Sequence, residues 1–231
     1  MTIPQYNVWR FVSGDLRLAH DDGRRIVAGK TLRVDGPAVL CGRGFHGSLT
    51  LRDALDTGAK YTSNPLLTSS RISGNVNVGI KKLCGTILHT DWIATREETD
   101  RFLRLWAVWC ARSVLHLAFK TDHKVLENTI NVAEQYAWRR ATDKKLNAAW
   151  SAARRVSVTS TMPVAAEAAV LAAAAAAADP TWHAAPTAAT AATTAYAATN
   201  SAWSVAWNAA QDAQEVEANR LFVELFGGEN G

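Results

Sequence analysis

The sequence predicts an α+β protein in which a small β-rich N-terminal domain precedes an all-α, alanine-rich antiparallel helical bundle. Up to about residue 93, short alternating runs of β-branched, aromatic and polar residues lie between glycines and prolines, which is typical of strands and turns. Beyond that point apolar residues recur at helical spacing, and alanine supplies most of them after about residue 140. We therefore expect domains at 1–93 and 94–226, followed by a disordered tail at 227–231.

The strands of the first domain follow from its turn residues. The stretch YNVWRFV alternates in part, and an Asp-Gly turn divides GDLRLAHDDGRRI into two short runs. KTLRV and AVL come next, and strand signals return in SRISGNVNVGIKKLCGTILHTDWI. Between them LTLRDALDTGAKY has helical spacing, with Thr50 as its cap. These runs predict the hairpins of a small sheet and one helix.

The first helices of the second domain have clear start signals. Thr95 and Glu98 have the spacing of a capping box, and a long apolar stripe follows them to about residue 119. Asp100, Arg101 and Arg104 lie early in this helix and are expected to form a solvated first turn. Further helices are predicted over 123–138, 142–158 and 163–178.

A last helix is predicted from Pro186 to Phe226. Its first part consists of alanine and threonine without charge, and Tyr196, Trp203 and Trp207 are spaced to share one face. Small residues let helix backbones approach closely, so we expect the large aromatic rings to fill the gaps between neighbouring helices.

The net charge is +4 and is unevenly distributed along the chain. Residues 1–90 hold 12 Lys and Arg against 6 Asp and Glu, whereas residues 91–231 hold 13 against 15. The basic half is the expected place for an anionic partner, but no run of Lys or Arg is dense enough to indicate a nucleic-acid-binding arm. The expected partners are therefore a protein or a nucleotide-like ligand, and not a nucleic acid.

The cysteines and the apolar segments bear on the cellular compartment. Cys41, Cys84 and Cys110 are widely spaced, which predicts neither a disulfide framework nor a structural zinc site. The first residues lack the basic and apolar regions of a secretory signal. The segment 164–179 is built from alanine and carries Glu167, so it does not read as a membrane span. We expect a cytoplasmic protein that binds no membrane, metal or cofactor.

The stretch AVLCGRGFHGSLTLRDAL is the first candidate site. Its glycines, Gly44 among them, permit close backbone approach, and the amides from Ser48 onward lie at a helix N-terminus that favours an anion. Arg43 is suited to clamp a phosphate, and His46 is suited to orient a ribose or to transfer a proton. One interpretation is a ligand-binding site formed by Arg43, Gly44, His46 and Ser48. Another is a structural turn with a buried Cys41.

A third interpretation of the same stretch is catalytic. His-Gly-Ser after a strand is similar to the nicotinamide-ribose contact of ADP-ribosyltransferase folds. Such enzymes require a glutamate, and residues 57–96 contain none. No catalytic residue is therefore predicted, although an enzyme acting on a nucleotide or NAD-like substrate through residues 41–48 stays an alternative.

A second candidate site lies in YAWRRATDKK, where Trp138, Arg139 and Arg140 join an aromatic ring to two cations. One interpretation is a helix end whose carbonyl groups face positive side chains. The other is a contact for an acidic partner. We predict these three residues as partner-binding.

A further pattern spans roughly residues 97–200 and ends in Ala-rich helices. Its matching residues are Asp100, Arg101, Trp106, Ala107, Cys110, Ala111, Val114, Leu115, Ala133 and Trp138. This part of the chain resembles a family of proposed immunity proteins that are encoded beside bacterial toxin genes and in phages. The N-terminal half, with its Cys-Gly-x-Gly-(apolar)-His turn, is similar to a phage-encoded domain of unknown function. These resemblances imply an origin in a mobile element, and they imply no activity.

The expected function is that of a phage or mobile-element accessory protein of the immunity or anti-defence type. It would act by non-catalytic binding of a macromolecular partner or a nucleotide-like ligand. Besides the enzyme named above, a further alternative is a structural protein whose Ala-rich helices assemble copies of the chain into an oligomer.

Overall fold

The structure is a computed structural model that describes residues 4–18, 23–40, 42–58, 64–156, 163–178, 181–199 and 203–227. It is of the α+β class, with the strands in the N-terminal part and most helices in the C-terminal part, which confirms the predicted fold class. The chain divides into two compact units, Met1–Thr99 and Asp100–Gly231. Of the predicted tail, only Gly227 lies within the described residues.

The first unit contains two antiparallel sheets, which the described residues form in the orders β1-β4-β7-β2 and β3-β6-β5. The strands are β1 (Tyr6–Val12), β2 (Thr31–Arg33), β3 (Phe45–Gly47), β4 (Leu66–Ser73), β5 (Asn77–Val78), β6 (Leu83–Gly85) and β7 (Ile87–Ile93). The helix α1 (Leu51–Gly58) follows β3 and buries its apolar side chains. Its predicted cap is confirmed, since the Asp53 N–H donates to Thr50 Oγ1 at 3.0 Å.

Two details of the predicted strand pattern are wrong. The segment AVL, 38–40, is not a strand, because the Val39 N–H donates to the Arg43 carbonyl at 2.7 Å and the Gly42 N–H donates back to the Val39 carbonyl at 3.0 Å. The segment 45–47, expected within a turn, is the strand β3, which pairs with β6. Burial of the Phe45 ring in the core explains why this short segment is extended.

Six α-helices are described after the sheets. They are α2 (Arg96–Val114), α3 (His123–Ala137), α4 (Asp143–Arg155), α5 (Val164–Ala176), α6 (Thr181–Ala198) and α7 (Trp203–Phe226), with a short 3-10 helix, Leu115–Leu117, after α2. The predicted capping box is confirmed at the start of α2. The Thr95 N–H donates to Glu98 Oε2 at 2.7 Å, and the Glu98 N–H donates to Thr95 Oγ1 at 3.2 Å.

The prediction of a single last helix beginning at Pro186 is wrong. The structure has two helices here, and Pro186 lies inside the first of them, α6. Helix α6 ends where the N–H and the hydroxyl of Thr199 both bond to the Tyr196 carbonyl, at 3.3 Å and 2.8 Å. Tyr196 therefore lies on α6 and shares no helix face with Trp203 and Trp207, which belong to α7.

Arg104 is 4% exposed, so the expectation that it belongs to a solvated turn is wrong. Its Nη1 donates to the carbonyl oxygens of Ala176 and Ala178, at 3.2 Å and 3.1 Å, at the end of α5. Its guanidinium carbon also lies 5.0 Å from the ring centre of Tyr136, on α3. A cation at a helix C-terminus satisfies carbonyl groups that have no partner within the helix, so Arg104 ties α2, α3 and α5 together.

Small side chains let the last helices of the second unit pack closely. Helix α5 buries eight of its residues, seven of which are alanine, and it packs against α6. Cys110 is fully buried in α2, where it packs as a small core residue. Gln214 of α7 reaches the backbone of α6, where its Nε2 donates to the Ala189 carbonyl at 2.9 Å. The core of this unit is therefore made largely of alanine.

Candidate functional site

The turn before β3 depends on glycine at one position. Gly44 has φ +117, a conformation that side-chain-bearing residues rarely adopt, and a Cβ there would stand 3.0 Å from the Gly85 carbonyl oxygen. Gly42, two residues earlier, has no such constraint, and a Cβ there would make ordinary contacts with Val39. Cys41, predicted to be buried here, lies outside the described residues.

Two of the predicted ligand-binding residues belong to or follow β3. His46 is half-buried and pairs with Cys84 of β6. Ser48 is 1% exposed, and its N–H donates to the Trp9 carbonyl at 3.0 Å. Its Oγ lies 3.2 Å from Oγ1 of Thr57, on α1. The amide and the hydroxyl of Ser48 are therefore both engaged inside the first unit.

Arg43 has a different environment from Ser48. It is exposed, and its side chain lies over Gly36, where an added Cβ would stand 2.5 Å from Nη1. Because Ser48 is enclosed, only Arg43, Gly44 and His46 retain surface that a ligand can reach. The structure thus places the Arg43 guanidinium over Gly36 and encloses Ser48 within the first unit.

A shallow cavity of about 20 Å³ lies beside the start of α1. Leu49, Asp53, Val78, Gly79, Ile80, Lys81, Lys82 and Leu83 line it. Lys81 pairs with Asp56 at 2.9 Å, so one of the two lysines already has a counter-charge. Pockets for small ligands usually measure about 300–1,000 Å³, so this cavity is small for a nucleotide.

The second candidate site lies at the end of α3. The Arg139 N–H donates to the Tyr136 carbonyl at 2.9 Å, and the Arg140 N–H donates to the Gln135 carbonyl at 2.7 Å. This pair of bonds is a Schellman motif, in which the residue after the cap has left-handed backbone. Arg139 occupies that position with φ +56, where glycine is the usual residue.

Arg101 of α2 lies over one face of the Trp138 indole ring. The guanidinium carbon of Arg101 lies 5.6 Å from the indole ring centre, and its Nε donates to the Ala137 carbonyl at 3.3 Å. The indole is still 37% exposed. A cation stacked on one face and a fixed helix end restrict the ring before any partner binds. The sequence gives no signal for this pair, because the two residues belong to different helices.

Further cations follow Trp138 along the segment that we call the basic turn, residues 138–145. Arg139, Arg140, Lys144 and Lys145 are exposed on it. Its one acidic side chain, Asp143, accepts a hydrogen bond from the Tyr136 hydroxyl at 2.7 Å. The basic turn therefore presents an aromatic ring and four cations on one short, exposed stretch of chain.

Other kinds of site receive no support in the described part of the chain. Its His, Cys, Asp and Glu side chains form no group that could hold a metal ion, and none of its helices is long and apolar enough to cross a membrane. Cys84 and Cys110 are buried. The chain matches no protein-family model, no curated protein and no solved structure.

Proposed function

We propose that this protein acts by non-catalytic binding of an acidic protein partner through the basic turn. Two neighbouring features carry the proposal. The indole of Trp138 is exposed and stacks against Arg101, and the next residue, Arg139, has left-handed backbone. Left-handed backbone in a residue with a side chain is unfavourable and recurs at functional sites. Trp and Arg are also the residues that most often dominate the binding energy of protein interfaces.

The charge of the chain favours a protein partner over a nucleic acid. Residues 91–231 hold 15 acidic side chains against 13 basic ones, so the cations of the basic turn lie on a chain segment that is otherwise acidic. A polyanion needs a long basic surface, whereas a local acidic patch on a protein needs only a local cationic one. The resemblance to immunity proteins and to a phage-encoded domain supports a role in conflict between a mobile element and its host.

Site-specific crosslinking tests this proposal. A photoreactive residue replaces Arg140 in the full chain, and in a control variant it replaces Arg155, which is also exposed and lies at the far end of α4. We expect an acidic protein to be crosslinked from position 140 in host cells and not from position 155. Equal capture from both positions, or capture of nucleic acid from position 140, would contradict the proposal.

Thermal denaturation distinguishes a nucleotide-like ligand from a protein partner. A melting temperature that rises saturably with NAD or another nucleotide, and no longer does so in Arg43→Ala, would favour the turn at 42–48 over the basic turn. We expect no such rise, because Ser48 is enclosed and its donors are engaged.

Self-assembly is a second candidate function, which one feature of α7 favours. Val205, Val216 and Val223 are 68%, 70% and 65% exposed and share one face of this helix. We expect light scattering to report more than one copy, and Val216→Lys to reduce that number. The matched control is Val164→Lys, at an exposed valine of α5. A strict monomer at micromolar concentrations would remove this candidate.

A further inference from the structure

The exposed face of the four-stranded sheet carries a row of polar side chains from three adjacent strands. In β7, His89 and Asp91 alternate with buried residues, so both point to the face opposite the core. Thr31 of β2 and Arg71 of β4 each lie directly opposite His89 in the strand register. Side chains in such positions are close enough to interact, so the imidazole stands between a hydroxyl and a guanidinium.

The contacts within this row join a hydroxyl, an imidazole and a carboxylate. Oγ1 of Thr31 lies 2.9 Å from Nδ1 of His89. Nε2 of the same imidazole lies 3.5 Å from Oδ1 of Asp91. Arg71 fixes that carboxylate, with its Nε 2.8 Å and its Nη2 2.7 Å from Oδ1. The carboxylate therefore faces the ring nitrogen that carries the proton when Nδ1 accepts a hydrogen bond from the hydroxyl.

This arrangement is the one by which proteins activate a hydroxyl group as a nucleophile. A base lies within hydrogen-bond reach of the hydroxyl, and a third group orients the base. The imidazole of His89 meets the first condition for Thr31, and the carboxylate of Asp91 meets the second. Such contacts are often long without substrate and shorten during the reaction, which fits the 3.5 Å between Nε2 and Oδ1.

A substrate can reach the hydroxyl from the edge of the sheet. In the described residues β2 is an edge strand, Thr31 is exposed, and the imidazole beside it is 28% exposed. Arg33 is also exposed and points to the same side of β2 as Thr31. Its guanidinium makes no hydrogen bond or ion pair with the described residues. The hydroxyl therefore has an available cation two residues away along the strand.

The backbone of β2 adds a donor at the same edge. The Val34 N–H donates to the Thr86 carbonyl at 2.9 Å, and the Lys30 carbonyl accepts from the Thr90 N–H at 3.2 Å. Because hydrogen bonds to one neighbour alternate along an antiparallel strand, the N–H of Thr31 points away from β7. A backbone N–H beside a nucleophile is a donor for the oxyanion that forms when the nucleophile attacks a carbonyl group.

We propose that Thr31 and His89 hydrolyse carboxylic esters whose acyl group carries a second, negatively charged carboxylate. Nδ1 of His89 takes the hydroxyl proton while Oγ1 of Thr31 attacks the ester carbonyl carbon, and a C–O bond forms. The C–O bond to the alcohol then breaks, and the alcohol leaves with the proton from His89. Water attacks the threonyl ester with the same imidazole as base, which releases the dicarboxylic acid and restores the hydroxyl.

Two further side chains have separate roles in this reaction. Asp91 is a positioning residue, because it acts on the substrate only through the imidazole, whose Nε2–H tautomer and positive charge it stabilises. Arg33 binds the carboxylate of the acyl group, since a guanidinium donates two parallel hydrogen bonds to a carboxylate and balances its single charge.

This activity is additional to the proposed function and independent of it, because the site uses neither the basic turn nor residues 42–48. The sequence gives no signal for the site. Thr31 and His89 lie 58 residues apart and meet only through the pairing of β2 with β7.

Hydrolysis of p-nitrophenyl hydrogen succinate by the full chain tests the site, with release of p-nitrophenolate as the readout. We expect saturable turnover that falls at least about tenfold in Thr31→Val and in His89→Gln. Thr31→Ser retains a hydroxyl and should therefore turn over faster than Thr31→Val. The matched control is Thr121→Val, at an exposed threonine of the second unit, which should leave the rate unchanged.

The two supporting roles are separated by kinetic constants. Asp91→Asn should lower kcat at least about tenfold and leave KM unchanged, a separation that a merely structural role would not produce. Arg33→Met should raise KM for the succinate ester and leave KM for p-nitrophenyl acetate unchanged. Arg155→Met, which removes an exposed cation of α4, should change neither value.

Equal turnover by the original protein and Thr31→Val would overturn the proposal, and so would Thr31→Ser with no more turnover than Thr31→Val. A KM for the succinate ester that Arg33→Met leaves unchanged would overturn the assignment of the acyl group. Valine has the branched shape of threonine and suits a strand, so Thr31→Val should melt at the temperature of the original protein. Where it does not fold, turnover in His89→Gln decides by the same criterion.

Discussion

The guanidinium of Arg104 donates from Nη1 to the carbonyl oxygen of Ala178 at 3.1 Å, across the end of α5. Arg104→Met leaves the carbonyl groups of Ala176 and Ala178 without the donor that they have at the end of α5. We expect it to lower the free energy of unfolding by about 2–3 kcal/mol in urea denaturation. Arg155→Met, at an exposed position, should change it by less than about 0.5 kcal/mol. Equal effects of the two substitutions would show that Arg104 does not stabilise the bundle.

Arg139 occupies a backbone conformation that suits glycine. Arg139→Gly should therefore raise the free energy of unfolding by about 1 kcal/mol, because it removes the steric penalty of φ +56. Arg140→Gly is the matched control, and it should not stabilise the protein. A stabilised Arg139→Gly variant that binds the partner less well would mean that the side chain is retained for contact at the expense of stability. An Arg139→Gly variant that is no more stable than the original protein would contradict the claim that φ +56 is strained in Arg139.

The glycines of the turn before β3 have unequal roles. Gly44→Ala should destabilise the protein by about 1–3 kcal/mol, because φ +117 is unfavourable for alanine and the Cβ would crowd the Gly85 carbonyl oxygen. Gly42→Ala should be nearly neutral, since its Cβ has room. Thermal denaturation of the two variants compares them directly. If both are neutral, the turn does not depend on Gly44.

The surface pair of Arg112 and Glu134 predicts a pH dependence. The two side chains form parallel hydrogen bonds of 2.9 Å and 2.6 Å, and the hydrogen bonds from Arg112 lower the pKa of Glu134. A lowered carboxyl pKa stabilises the folded state above the ordinary Glu value, about 4.3, and this contribution is lost as the pH falls through the folded-state pKa.

Glu134→Gln should therefore lower the free energy of unfolding by about 0.5 kcal/mol at pH 7, a small value because the pair is partly exposed. The difference between the variant and the original protein should shrink as the pH falls below the ordinary Glu value and through the lowered folded-state pKa of Glu134. Urea denaturation at several pH values measures it. Asp212→Asn, at an exposed position of α7, serves as the control. A difference in the free energy of unfolding that is equally large in acid would show that it does not come from the charge of Glu134.

Local features of the fold could be predicted from the sequence because their causes are local. The Thr95–Glu98 capping box and the Thr50 cap each depend on residues within one turn, so residue type and spacing identify them. The change from β-rich to helical structure follows from the period of the apolar residues. The fold class could therefore be predicted without knowledge of any contact.

Features that depend on distant residues could not be predicted. Arg104 has the sequence position of a solvated cation, and only the end of α5, more than 70 residues later, makes its burial favourable. The break after α6 has no proline or glycine beside it, and its one sequence signal is the short polar run Thr199-Asn200-Ser201 between alanine-rich segments. For the candidate sites, residue types indicated Trp138 and Arg139. The stacking of Arg101 on the indole depends on a contact between α2 and the end of α3, and residue type alone does not predict left-handed backbone at an arginine.

Binding through the basic turn is tested most directly by isothermal titration calorimetry of the full chain with the partner that crosslinking from position 140 identifies. Reversing two charges in Arg139→Glu/Arg140→Glu should weaken binding at least about tenfold, while the same reversal in Arg154→Glu/Arg155→Glu should change the dissociation constant less than about twofold. Equal affinities for the original protein and the Arg139→Glu/Arg140→Glu variant would contradict the assignment of the basic turn as the binding surface.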